Sequence, residues 1–168
     1  MAAKKTRVPS LPAGVQLALA QVQDAEETLS LQKLAFQTEA AIYGPDIQPM
    51  RQTLEEIRAE FKRLTVIKAV AENGLIIGSV RAAAEEPGRC WISKLIVHPE
   101  WRRRGIAKAL LLEVESRFPE ARSFELGTGV RSVGNIKLYE SLGYREFKRI
   151  KPESSPCGPE FVLLAKKA

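Results

Sequence analysis

The chain has 168 residues, 45% hydrophobic and 27% charged, with a formal net charge of +6. That length suits one domain with one sizeable core, and no apolar run approaches the roughly 20 residues of a membrane-spanning helix. Lys4, Lys5 and Arg7 near one end and Lys166 and Lys167 near the other carry most of the excess charge, so the body is close to neutral and a nucleic-acid-binding face is not expected.

A basic tail over residues 1–14 has no apolar stretch of the kind a secretory signal needs, and the expected location is cytoplasmic. One domain follows, over residues 15–168. Residues 15–23 alternate apolar and polar, with Val15, Leu17 and Leu19 on one side, which predicts a strand. Asp24 with Glu27 reads as a capping box opening a helix whose stripe is Leu31, Leu34, Ala35, Ala41 and Ile42. Tyr43-Gly44-Pro45 breaks it. A second helix follows Pro49, with Met50, Leu54, Ile57, Phe61 and Leu64 at helical spacing.

The period then changes to extended. Residues 66–71 and 75–84 read as strands joined at Asn73-Gly74, where both positions tolerate positive φ. Glu85-Glu86-Pro87-Gly88 turns the chain into a third strand over residues 90–97. After Gly105 comes a helix with Ile106, Leu110, Leu111, Val114 and Phe118 on one face. Residues 124–127 form a short strand. Ser132 is placed to cap a helix carrying Ile136, Tyr139 and Leu142, which Gly143 stops. Strands over residues 144–150 and 161–165 flank a Pro/Ser/Gly loop. The order β-α-α-β-β-β-α-β-α-β-β predicts an α/β fold with a mixed central sheet and helices packed on both of its faces.

Two cysteines, Cys90 and Cys157, make no CxxC pair and have only His98 to join them, so no metal site or disulfide framework is expected. A cysteine nucleophile would lack a plausible base.

The most informative segment is Leu95-Ile96-Val97-His98-Pro99-Glu100-Trp101-Arg102-Arg103-Arg104-Gly105-Ile106-Ala107. The helix after it has no Ser, Thr, Asp or Asn at its start and three arginines instead. Its first N–H groups are unpaired, and that end of the macrodipole is already positive. Each cation there is unfavourable by roughly 0.3–1 kcal/mol. An anion resolves the conflict, because a phosphate accepts the free N–H groups and pairs with the arginines. Gly105 lets the backbone come close to it. The GxxxxGK[ST] and GxGxxG spacings are absent, which excludes a P-loop and a dinucleotide fingerprint.

Here the sequence resembles the GNAT superfamily of N-acetyltransferases. The acyl-CoA signature of that family, Gln/Arg-x-x-Gly-x-Gly/Ala, stands as Arg102-Arg103-Arg104-Gly105-Ile106-Ala107. A second family block follows as Asn135-Ile136-Lys137-Leu138-Tyr139-Glu140-Ser141-Leu142-Gly143-Tyr144. The resemblance implies a sheet splayed between its fourth and fifth strands, with acetyl-CoA as cosubstrate. The pantetheine arm would lie along the fourth strand at Leu95, Ile96 and Val97 and touch Asn135. The pyrophosphate would sit on amides of Arg102, Arg103, Arg104, Gly105, Ile106, Ala107 and Lys108.

The reaction implied is direct attack of an amine on the thioester in a ternary complex, without an acyl-enzyme. Proximity supplies part of the rate, a free N–H near Ile96 or Val97 would hold the oxyanion, and Tyr139 would protonate the departing thiolate. Some relatives carry a Glu where Ser93 stands, so the base is either Glu125 on the fifth strand, directly or through a water, or solvent. His98 is read as structural. Tyr43, Asp46 and Glu160 are the acceptor-site candidates. The acceptor class stays open among small amines, amino acids, peptides and protein lysines or N-termini. Dimers are common in that family, and no residue here decides the oligomeric state. The alternative to an enzyme is a catalytically idle acyl-CoA-binding module on the same fold.

Overall fold

A computed structural model describes residues 10–152 and 159–168. Lys4, Lys5, Arg7 and Cys157 lie outside those residues. Strands β1 (Gln16–Leu19), β2 (Thr65–Val70), β3 (Ile76–Glu86), β4 (Arg89–Val97), β5 (Ser123–Gly129), β6 (Arg145–Ile150) and β7 (Phe161–Lys167) form one sheet in the order β1-β2-β3-β4-β5-β7-β6. The β4–β5 pair is parallel and every other pair is antiparallel. The helices are α1 (Ala25–Ala35), α2 (Gln37–Tyr43), the single turn α3 (Gln48–Arg51), α4 (Leu54–Arg63), α5 (Ile106–Arg117) and α6 (Val133–Ser141). This is the mixed α/β sheet that the sequence predicts.

Neighbouring strand residues explain why both faces are covered. Val66 packs with Ile57 and Phe61 of α4, and Ile76 packs with Leu31 and Ala35 of α1. Ile67 and Ile77, one residue further on, belong to the core with Ile106, Leu110 and Val114 of α5. Adjacent residues of a strand face opposite ways, so α1 and α4 cover one face and α5 the other. None of the described helices is long and apolar enough to cross a membrane.

Three local expectations change. Asp24 accepts from the Gln21 N–H at 2.7 Å and from Lys68 at 2.9 Å, whereas Glu27 accepts from the Ile76 N–H at 2.8 Å. The box therefore sits one turn earlier, and Glu27 ties α1 to the sheet. The first long helix is two helices, broken at Phe36. The second is capped by Thr53, whose side chain accepts from the Glu56 N–H while Glu56 accepts from the Thr53 N–H.

Two irregularities in β4 open the sheet. Ser79 pairs with Ile96 and Arg81 with Ser93, so Lys94 and Leu95 together oppose Val80. Lys94 takes φ 51° at this bulge. The extra residue resets the alternation: Ile92 belongs to the α5-side core, Leu95 and Val97 pack against that same core, and Ile96 faces α1. A bulge bends its strand and raises its twist, and this one lies where pairing with β5 stops. The β4–β5 ladder runs only from Arg89 with Ser123 to Ile92 with Leu126. Beyond it β5 stays with β7 through Gly129, and β4 stays with β3 through Val97. The two strands part between them.

Beside the bulge, Arg81 is 1% exposed. Its guanidinium donates to Glu60 at 2.6 Å, Gln32 at 2.6 Å and Gln52 at 3.2 Å. Gln52 also receives the Gln32 amide at 2.9 Å and donates to Glu60 at 2.7 Å. The network bolts α1 and α4 to β3 and so fixes the wall beside the gap. Burial pushes the Arg81 pKa down and the Glu60 carboxylate pulls it back up.

Candidate active site

The gap between β4 and β5 is the floor of a cleft of about 570 Å³. After β4, His98 Nδ1 accepts from the Glu100 N–H at 3.1 Å, so His98 shapes the turn. Gly105 then takes φ 83° as the residue before α5, and no side chain caps that helix. A left-handed φ favours glycine, and the space where a Cβ would stand is open to 4 Å. Gly105, Ile106, Ala107 and Lys108 all line the cleft. Their unpaired N–H groups and the positive end of the helix suit an anion, so the turn fits a phosphate group.

The three arginines divide. Arg102 donates to the Ala35 carbonyl at 2.9 Å and to Thr38 Oγ1 at 3.0 Å. Its guanidinium thus joins the α1–α2 junction to the turn, although the residue also lines the cleft. Arg104 stacks over Trp101 with 4.9 Å from its guanidinium carbon to the ring centroid. Arg103, at φ 61°, lines the cleft.

Leu95, Ile96 and Val97 line the cleft from β4. Where β5 has left, that edge of β4 has no partner strand, and its amide and carbonyl groups are available to an extended ligand. Asn135 and Tyr139 line the cleft from α6. Asn135 Nδ2 donates to Thr128 Oγ1 and to Glu39 Oε1, both at 3.3 Å. Tyr139 is 7% exposed and packs edge-on to Tyr144, ring centroids 6.2 Å apart. Burial and then the Glu39 charge raise the Tyr139 pKa, so its phenol keeps its proton throughout the neutral range. Tyr144, also held protonated by burial, donates to Glu115 at 3.2 Å.

Of the acceptor-site candidates, Tyr43 lines the cleft and Asp46 and Glu160 do not. The Tyr43 hydroxyl bonds Ser132 Oγ at 2.9 Å and accepts from the Arg131 N–H at 3.0 Å. It lies so close to Gly129 that a Cβ there would collide with the ring. Glu160 contributes its carbonyl, which receives the Val130 N–H at 3.0 Å. Glu125 sits on the paired part of β5, opposite Trp91 and Ala165, with its carboxylate 3.8 Å from Arg89; it is outside the cleft lining. Ser132 stands at the start of α6, as its position predicts, but its hydroxyl does not cap the helix. It bonds Glu39 and Tyr43 instead.

Glu39 is the residue the sequence reading misses. It lies one turn from Tyr43 on α2, and nothing in their spacing says that this face meets α6. Cys90 is fully buried, and burial pushes its thiol up to about 12, which leaves it inert. No group of three or more metal-ligating side chains occurs among the described residues.

Splayed parallel strands beside an uncapped helix start define a class of mixed α/β fold with an anion-fitting cleft. A model described as "Acetyltransferase (GNAT) family" matches residues 26–144, and the chain belongs to that family. The chain is 28% identical over 128 residues to the UPF0157 protein YqkA of Bacillus subtilis (strain 168), covering 76% of this chain and 36% of that one. It is 28% identical over 81 residues to the N-terminal acetyltransferase B complex catalytic subunit of Arabidopsis thaliana, covering 45% of this chain and 47% of that one. It therefore spans a third to a half of the length of these curated relatives. The fold is also that of the PaiA N-acetyltransferase of Thermoplasma acidophilum, solved in complex with coenzyme A, with TM-score 0.76 at 16% identity over 92% of this chain and 99% of that one.

Proposed function

We propose that the protein transfers an acetyl group from acetyl-CoA to a primary amine by direct attack in a ternary complex. The observation that carries this reading is one cleft holding both an uncapped helix end and a buried, protonated tyrosine. The amides of Arg103, Arg104, Gly105, Ile106, Ala107 and Lys108 would hold the pyrophosphate. The unpaired edge of β4 at Leu95, Ile96 and Val97 would hold the pantetheine arm, with Asn135 beside it.

Bound acetyl-CoA supplies the thioester: a C–N bond forms to the amine and the C–S bond breaks. The chain's own residues do the rest. The cleft aligns the two reactants. The Val97 amide would donate to the carbonyl oxygen as charge grows there, because the Ile96 amide, two residues before the His98 N–H that donates to the Ile77 carbonyl, faces β3. Tyr139 donates to the leaving sulfur, which takes up the phenolic proton, and water restores it. The amine's excess proton leaves through water, because Ser93 is not a base and Glu125 stands outside the cleft lining beside Arg89.

The test follows thiol release from acetyl-CoA with a panel of amines, peptides and proteins, and then single-turnover acetylation by Tyr139→Phe. The variant should be slower by about 100-fold with CoA affinity kept. Because the Tyr139 pKa is raised, the wild-type rate should climb with pH as the amine deprotonates and show no fall near the usual tyrosine range. Equal rates for variant and wild type would remove Tyr139 from the mechanism. CoA binding without thiol release for any amine would leave a binding module instead.

A further inference from the structure

The cleft has a single acid among its described lining residues, Glu39, against the cations Lys94, Arg102, Arg103 and Lys108. Glu39 is half-buried on α2. Its Oε2 receives a short hydrogen bond of 2.5 Å from Ser132 and its Oε1 receives Asn135 at 3.3 Å. Two neutral donors thus fix the carboxylate, and no Lys or Arg pairs with it among the described residues. A carboxylate has about four acceptor sites, so room remains for a further donor.

Its position is electrostatically costly. The Glu39 charge acts on Tyr139, at the place where acetyl transfer would build negative charge on sulfur and oxygen. A fixed anion there opposes that charge. The cost is offset when the acceptor itself brings a positive charge.

We propose that Glu39 is the acceptor-recognition residue, receiving N–H hydrogen bonds from the ammonium of a cationic primary amine, which passes one proton to water before the neutral amine attacks the thioester. This rests on the acetyl-transfer reading above. Ser132 and Asn135 then act as its positioning residues, and α2 becomes the wall that selects the acceptor. The three acids expected from sequence, Asp46, Glu125 and Glu160, lie outside the lining. Selection favours amines that are charged in solution over uncharged nitrogen nucleophiles.

The experiment compares wild type, Glu39→Gln and Glu39→Asp at pH 8 with acetyl-CoA, using butylamine as the charged acceptor and hydroxylamine as the uncharged one. Glu39→Gln keeps one acceptor oxygen for Ser132, loses the charge and turns the atom that faces Asn135 from an acceptor into a donor. It should lower kcat/KM for butylamine by about tenfold, through KM, as expected for one charge-assisted hydrogen bond. Hydroxylamine turnover should hold or rise, because the anion that opposes the developing charge is gone, CoA affinity should stay within about twofold, and Glu39→Asp should recover part of the butylamine activity. Equal losses with both amines, no loss at all, or a parallel drop in CoA affinity would overturn the proposal and leave Glu39 as a brace between α2 and α6. Wild type that binds CoA yet releases no thiol with either amine would overturn the acetyl-transfer reading, and this proposal with it.

Discussion

Arg81 on β3 and the arginines at the start of α5 are treated oppositely. Arg81 is buried, and three side chains from α1, the segment before α4 and α4 itself bond both terminal nitrogens of its guanidinium, while its Nε has no partner among the described residues. Arg103 and Arg104 are exposed at the start of α5 and pair with no carboxylate among the described residues. A charge that serves the fold is paired inside the chain, since an unpaired buried charge is costly. On the proposed function, the unpaired charges of Arg103 and Arg104 would serve a ligand, and they stand where the helix dipole makes them unwelcome until an anion arrives.

That contrast can be broken by substitution. Arg81→Ala should produce the larger effect, a loss of about 3–5 kcal/mol of stability, because Glu60, Gln32 and Gln52 lose the cation they surround. Urea unfolding measures it, and a loss under about 1 kcal/mol would mean that the network is not what bolts α1 and α4 to the sheet. Arg103→Ala should do the reverse. Its unfolding midpoint should hold or rise slightly, since one cation at a helix N-terminus costs only a few tenths of a kcal/mol, while CoA affinity falls by about fivefold. A variant that loses stability and keeps CoA affinity would put Arg103 with Arg81 on the structural side. Arg102 lies between the two classes: its backbone belongs to the turn and its guanidinium to the α1–α2 junction.

Much of the fold was legible, for local reasons. The strand periods, the Asn73-Gly74 turn, the helix start after Gly105 and the stop at Gly143 each depend on a few adjacent residues. The Thr53–Glu56 capping box was also there to be read, as Thr and Glu three apart before an apolar helix. The break at Phe36 was not, because no Gly or Pro marks it. The uncapped turn at Gly105 could be read because the misfit of arginines at a helix start is itself local. The other side of the site depends on tertiary register. Glu125 looked available because it is on β5, but the strands separate only after Leu126, and Glu125 falls on the closed side. Glu39 and Ser132 are 93 positions apart, and only the packing of α2 against α6 makes them partners.

The central claim is that the uncapped turn at Gly105 grips the diphosphate of coenzyme A. Calorimetric titration of the wild-type protein with CoA and, separately, with pantetheine tests it most directly, because pantetheine keeps the arm that lies along β4 and lacks the phosphates. CoA should bind at least about tenfold more tightly, a difference of about 1.4 kcal/mol, and that advantage should shrink as salt is added. Equal affinities for the two, or no binding of CoA, would contradict the account.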